Sequence, residues 1–196
     1  MKRHLPNSLT VARIALTPVY LWCMVRNTFV SHLVGLLLFL LLAISDYWDG
    51  KLARKYNAGS RIGQFLDPLA DKVLVLGAFI VLPLVMAEPQ WIPWWAVIVI
   101  VVRDVVITVL RTASELKGQS VTTLDLAKAK TTVQFVFLIY VMTFLVLVKW
   151  PKVDLIRDLS SAVLYSPFTL VLMLVVVGLT AWTGIQYFMK RTQQAA

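Results

Sequence analysis

The sequence predicts an all-α integral membrane protein, with six transmembrane helices and an N-terminal juxtamembrane segment in a single domain spanning residues 1–196. Three observations predict it. The chain is 59% hydrophobic and 15% charged, against ~45–50% and ~25% in ordinary soluble domains. The apolar excess is gathered into long runs, and a helix crossing a bilayer needs about 20 such residues. The basic residues, which set a net charge of +9, sit in the short connections between those runs.

The runs cover residues 9–25, 30–45, 66–87, 91–110, 131–148 and 168–188. Each is read as a helix, because lipid offers no water to unpaired backbone groups. Lys and Arg in short loops set orientation. One side collects Lys2 and Arg3, then Lys51, Arg54, Lys55 and Arg61, then Arg111, Lys117, Lys128 and Lys130, and finally Lys190 and Arg191. That side is read as cytoplasmic, with both termini inside. The other side carries a weaker basic signal, Arg26, Lys149, Lys152 and Arg157, and a set of boundary tryptophans, Trp91, Trp94, Trp95 and Trp150. Amphipathic rings anchor at such interfaces. Residues 153–164 space Ile156, Leu159 and Val163 along one face, as an amphipathic helix lying on the outer surface would.

Several function classes are excluded by the same reading. A basic balance placed in membrane loops serves topology and anionic headgroups rather than nucleic acid. Cys23 is the single cysteine, so no internal disulfide forms. No small-residue cleavage site follows the first run, so it is not read as a removed signal peptide.

The chemistry-bearing segment lies between the second and third runs. Asp46 and Asp49 are three residues apart, and Asp67 and Asp71 are four apart, so each pair shares one face of a helix. Crowded carboxylates at a membrane boundary repel one another, and uncompensated they would retain protons. A divalent cation removes that conflict: Mg²⁺ and Mn²⁺ take oxygen ligands and share them with substrate phosphates. A pair of such ions stabilises attacking and leaving oxygens in a displacement at phosphorus. The plainer alternative is that these acids cap helices or pair with Lys51, Arg54, Lys55, Arg61 and Lys72. One or two acids would fit it well; four in two helical pairs fit it poorly. Gly50, Ala53 and Gly63 permit close approach of a ligand or a neighbouring helix. Arg54 is placed to pair with a phosphate, or to serve as an ordinary positive loop residue.

The full pattern, D-x2-D-G-x2-A-R-x8-G-x3-D-x3-D from Asp46 to Asp71, resembles the signature of the CDP-alcohol phosphotransferase family at every defined position. The six-span layout is similar to that family as well. The resemblance implies its fold, its pair of divalent metals (Mg²⁺ or Mn²⁺) and its chemistry, in which an alcohol displaces CMP from a CDP-activated lipid. It implies that Asp46, Asp49 and Asp67 are metal ligands and that Asp71 is both ligand and general base. It further implies that Gly50, Ala53, Arg54, Ser60 and Gly63, with Asn7, Thr10 and Arg13 from the first helix, contact the CDP-lipid. A homodimer follows from the resemblance alone. Asn7 also fits a helix N-cap.

The acceptor is read from charges inside the fourth run. Arg103 and Asp104 sit at bilayer depth, where a charge costs at least ~2.5–3.5 kcal/mol on insertion scales, so a compensating partner is expected. Asp104, Thr108 and Arg111 share a helical face. Arg103, Arg111, Lys128 and Lys130 together form a candidate pocket for the phosphate of an anionic acceptor; the simpler alternatives are an internal Arg103–Asp104 or Asp104–Arg111 pair and positive-inside flanking. A cationic pocket disfavours choline, ethanolamine and plain glycerol, and leaves glycerol 3-phosphate, inositol phosphate and serine open. The opening Leu-Pro-Asn-Ser-Leu-Thr-Val-Ala-Arg, the Arg103–Arg111 stretch and the 126–131 stretch resemble the bacterial phosphatidylglycerophosphate synthases of the family. That branch commonly has Glu and Gly where this chain has Asp104 and Val109. The resemblance implies CDP-diacylglycerol as donor and glycerol 3-phosphate as acceptor, in the inner membrane with the active site facing the cytoplasm. A different class, a cation transporter using its intramembrane acids, is weakened because one acid cluster at one face lacks the repeated halves of such proteins.

Overall fold

The computed structural model describes the backbone of residues 5–56, 61–86, 91–116 and 125–195, and the side chains of residues 12–45, 72–86, 91–114 and 129–189. Among the described residues there are seven helices and no strand: α1 (Leu5–Val25), α2 (Phe29–Tyr56), α3 (Arg61–Val85), α4 (Trp94–Leu116), α5 (Asp125–Val148), α6 (Asp154–Leu164) and α7 (Pro167–Ala195). Each apolar run of the sequence falls for most of its length on a separate long helix, the fourth entering α4 only at Trp94, and the amphipathic stretch forms α6.

The long helices outrun the apolar stretches, mostly at one end of the bundle. α2 continues past Ser45 to Tyr56, and α3 starts at Arg61, ahead of its apolar run. α4 and α7 extend to Leu116 and Ala195, and α5 begins at Asp125. Hydropathy marks the part of a helix that hydrocarbon can solvate. The backbone hydrogen-bond ladder continues for as long as nothing breaks it, so polar turns are added without any apolar signal. Asp46 and Asp49 lie on the α2 extension, and Asp67 and Asp71 follow directly after the α3 extension, so this end is called the aspartate end below.

Local chemistry makes the reversals. Asn27 takes a left-handed conformation, φ 52°, after α1, which asparagine tolerates better than most residues. Thr28 then caps α2 reciprocally with Ser31. The Ser31 N–H donates to Thr28 Oγ1 at 3.2 Å and the Thr28 N–H donates to Ser31 Oγ at 3.0 Å, which satisfies two donors at the helix start. Pro167 opens α7, where a missing N–H costs nothing.

α1 packs against α2 and α3, α4 against α3 and α7, and α5 against α2, α6 and α7. At the end opposite the aspartates, Phe29 meets Trp150 edge-on with ring centres 5.2 Å apart. Buried His32 lies between carbonyls of two other helices, 3.1 Å from Met24 O and 3.3 Å from Leu145 O. Thr169 donates to Leu164 O at 2.8 Å and lies 3.1 Å from the Tyr140 hydroxyl, which ties α5, α6 and α7 together. The interior is aromatic and aliphatic, with Tyr20, Phe39, Phe79, Leu138 and Met142 fully enclosed. Phe79 and Phe137 stack with near-parallel planes at 6.0 Å.

The outer surface is also apolar. Leu37, Leu41, Ile44, Leu84, Ile98, Val102, Val136, Val171 and Ile185 all point outward, a density that a water-soluble monomer does not expose. Two helical segments among the described residues, Ala129–Val148 and Pro167–Met189, are long and apolar enough to cross a membrane. Ala12–Val25, Phe29–Ser45 and Lys72–Val85 are shorter apolar segments, each bounded on one side by the limit of the described side chains. On α6, Leu155 and Leu159 face outward beside the exposed Arg157–Asp154 pair (2.7 Å), while Leu164 is buried. That is the two-sided character expected of an interfacial helix.

Candidate active site

The site is built at the aspartate end. Asp46 and Asp49 lie on the final stretch of α2, Asp67 and Asp71 on the opening turns of α3, and Asn7, Thr10 and Arg13 on the opening turns of α1. Because α1 packs against both α2 and α3, these segments are gathered around one helix start. Arg13 is fully enclosed. The side chains of Asn7, Thr10, Asp46, Asp49, Gly50, Ala53, Arg54, Gly63, Asp67, Asp71 and Lys128, and the whole of Ser60, lie outside the described residues. The donor set fits a divalent-cation centre: four carboxylates in two helical pairs offer only oxygen ligands, the kind that Mg²⁺ and Mn²⁺ take.

One residue further along α3, a buried charge cluster begins. Asp104 on α4 has no exposed side-chain surface, and cations from three helices meet it. Lys130 of α5, itself 2% exposed, places Nζ 2.5 Å from both carboxylate oxygens. Arg103 donates from Nη1 to Asp104 Oδ1 at 3.1 Å and from Nη2 to Thr183 Oγ1 of α7 at 2.8 Å. Lys72 of α3 lies 3.7 Å from Asp104 Oδ2. Gly184 lets the Arg103 stem lie against α7, because a Cβ there would sit 3.2 Å from Arg103 Cγ. Arg111 is half-buried, seven residues nearer the aspartate end, which is about 10 Å along the axis.

Of the predicted acceptor residues, the structure therefore brings Arg103 and Lys130 together on Asp104, and it adds Lys72, Thr183 and Gly184. The Arg103–Asp104 contact was visible in the sequence as neighbours. Lys130 lies 26 residues from Asp104, and Lys72 was read only as a partner for the aspartates. The one available signal was that a charge at this depth needs a counter-charge.

An all-helical bundle with apolar outer faces and an aspartate-rich end defines a membrane-embedded helical enzyme, and the chain belongs to the CDP-alcohol phosphatidyltransferase family, which it matches over residues 3–189. It is similar to the CDP-diacylglycerol--glycerol-3-phosphate 3-phosphatidyltransferase of Bacillus subtilis (strain 168), with 33% identity over 199 residues, 95% of this chain and 94% of the relative. The protein of the same name from Rickettsia bellii (strain RML369-C) is 35% identical over 185 residues, 94% of this chain and 93% of the relative. The one from Sodalis glossinidius (strain morsitans) is 31% identical over 192 residues, 95% and 94% of the two chains.

Proposed function

We propose that this chain transfers the phosphatidyl group of CDP-diacylglycerol to glycerol 3-phosphate, giving phosphatidylglycerol phosphate and CMP. The observation that carries the reading is the near full-length similarity to relatives named for that reaction. The buried cations beside α3 support an anionic acceptor. In the proposed reaction the acceptor hydroxyl attacks the β-phosphorus of the lipid, its proton passes to Asp71, and the bond to CMP breaks. Asp46, Asp49, Asp67 and Asp71 would hold two divalent cations, Mg²⁺ or Mn²⁺, which when bound neutralise diphosphate charge and polarise its oxygens. Asn7, Thr10, Arg13, Gly50, Ala53, Arg54, Ser60 and Gly63 would contact the CDP-lipid. Arg103, Arg111, Lys128 and Lys130 would form the basic pocket for the acceptor phosphate. The proposal includes one domain over residues 1–196, six spans in the inner membrane, a homodimer, and both termini and the site on the cytoplasmic side.

Purified protein in detergent, supplied with CDP-diacylglycerol and Mg²⁺ or Mn²⁺, tests this. CMP release should depend on the metal, stop on chelation, and be well above the inositol phosphate or serine rate when glycerol 3-phosphate is the acceptor. Preference for either of the other alcohols would overturn the acceptor and leave the family intact.

A further inference from the structure

Arg103 is a cation in the apolar run of α4, and among the described residues it has two hydrogen-bond partners. Nη1 donates to Asp104 Oδ1 at 3.1 Å, and Nη2 donates to Thr183 Oγ1 of α7 at 2.8 Å. Its Nε is buried with no partner among the described residues. The groove between α4 and α7 in which it lies is otherwise lined by apolar side chains, among them Val102, Val106, Ile185 and Phe188. Thr183 is therefore the polar anchor that α7 supplies, and Gly184 beside it supplies the room. A Cβ at Gly184 would sit 3.2 Å from Arg103 Cγ and 3.3 Å from Nε.

Thr183 is held in the accepting role. Its hydroxyl lies 2.8 Å from the carbonyl of Leu179, one turn back on the same helix. A hydroxyl has one proton and two lone pairs. With the proton given to its own backbone, only acceptor capacity is left for Arg103, and at 2% exposure the hydroxyl has little other company.

This anchor decides how Asp104 is shared. Arg103 and Lys130 both donate to Asp104 Oδ1. Without Thr183, the guanidinium has two outlets. It can close on Asp104 with both of its terminal nitrogens and displace Lys130, or it can run along the apolar groove past Phe188 toward the aspartate end, as long cationic side chains do in hydrocarbon. Either outcome moves a cation of the proposed acceptor pocket.

We propose that Thr183 and Gly184 form a seat on α7 that positions Arg103, and through Asp104 also Lys130, for the acceptor. Both are positioning residues that act through Arg103. This rests on the proposed acceptor role of Arg103 and Lys130.

The test measures CMP release by the purified full-length chain with CDP-diacylglycerol, metal and varied glycerol 3-phosphate, for wild type, Thr183→Val, Thr183→Ser, Gly184→Ala and Thr180→Val. Thr183→Val keeps the shape of the side chain and removes the acceptor. Thr180 is the control for losing a buried hydroxyl from α7: it is fully enclosed and lies 3.5 Å from Gln134 Nε2 of α5. Thr183→Val should raise the acceptor KM by about tenfold or more and leave the lipid KM within about twofold. Thr183→Ser should restore most of the wild-type value, Gly184→Ala should raise the acceptor KM in the same selective way, and Thr180→Val should leave it within about twofold. An unchanged acceptor KM in Thr183→Val, both KM values rising together, or an equal rise in Thr180→Val overturns the seat. If Thr183→Val does not fold, Gly184→Ala decides, and an unchanged acceptor KM there overturns the proposal. The wild-type acceptor series separates the two failures. Preference for another alcohol is failure of the acceptor reading, whereas an unmoved acceptor KM with glycerol 3-phosphate still preferred is failure of the seat.

Discussion

Lys130→Met removes one charge from the buried cluster while keeping the length and much of the volume of the side chain. In the wild-type chain the ammonium touches both oxygens of Asp104 at 2.5 Å, and neither side chain is more than 2% exposed. Breaking a fully buried pair by removing one partner costs about 3–5 kcal/mol. Here Arg103 at 3.1 Å and Lys72 at 3.7 Å stay beside the carboxylate. The loss is then closer to that of a hydrogen bond to a charged group with part of the desolvation cost, about 2–3 kcal/mol. For a chain of this size each kcal/mol moves Tm by about 2–4 °C, so thermal unfolding in detergent should fall by roughly 5–10 °C. The double variant Asp104→Asn/Lys130→Met should be more stable than the sum of the single effects, by at least about 1 kcal/mol of coupling. A Tm for Lys130→Met within about 1 °C of wild type, or strict additivity in the double variant, would refute the claim that this pair joins α4 to α5.

Three further outcomes are expected. Asp71→Asn should lower turnover by at least ~10²–10⁴-fold, the usual range for a general base, with CDP-lipid binding reduced far less; near-normal turnover rules out that role. Arg111→Ala should raise the glycerol 3-phosphate KM by the equivalent of about 1.5–3 kcal/mol and leave the lipid KM nearly unchanged; equal effects on both substrates would make Arg111 structural. Gly178→Ala, where a Cβ meets nothing within 4 Å, should stabilise α7 by roughly 0.5–1 kcal/mol. Gly35→Ala would bring a Cβ within 2.8 Å of Met24 Sδ and should cost about 1–3 kcal/mol, so the two unfolding temperatures should move in opposite directions.

The helical class and the order of its elements were legible because hydrocarbon imposes a coarse rule: an apolar run of sufficient length is a helix. The amphipathic stretch was legible for the same reason, and α6 starts at Asp154 rather than one residue earlier. The polar extensions were not legible, because residues such as Lys51-Leu-Ala-Arg54 on α2 give no hydropathy signal and only the continuing hydrogen-bond ladder marks them as helix. In the candidate site, the aspartate pairs stood out because charge repulsion at fixed helical spacing demands an explanation. The Asp104 cluster was only half legible. Arg103 is its neighbour in sequence, but Lys72, Lys130 and Thr183 reach it through the packing of α3, α5 and α7, and linear spacing carries no trace of that packing.

The extension of α2 beyond Ser45 bears on how the enzyme meets its two substrates. At about 1.5 Å per residue, Asp46 and Asp49 lie roughly 2–6 Å past Ser45, where the apolar run ends, whereas Tyr56 lies roughly 16 Å past it. The headgroup layer on each side of a bilayer is only ~5–8 Å deep. In the proposed membrane placement, with hydrocarbon ending near Ser45, Asp46 and Asp49 would be level with the phosphates of the surrounding lipids, and the tip of α2 would stand beyond the headgroup layer. A CDP-lipid at that level keeps its acyl chains in the leaflet and reaches the site by sliding in two dimensions, while the soluble acceptor and the departing nucleotide diffuse in three. The rate should then follow the mole fraction of CDP-lipid in the surface, so adding inert lipid or detergent at constant total CDP-lipid should slow the reaction by dilution within the surface alone.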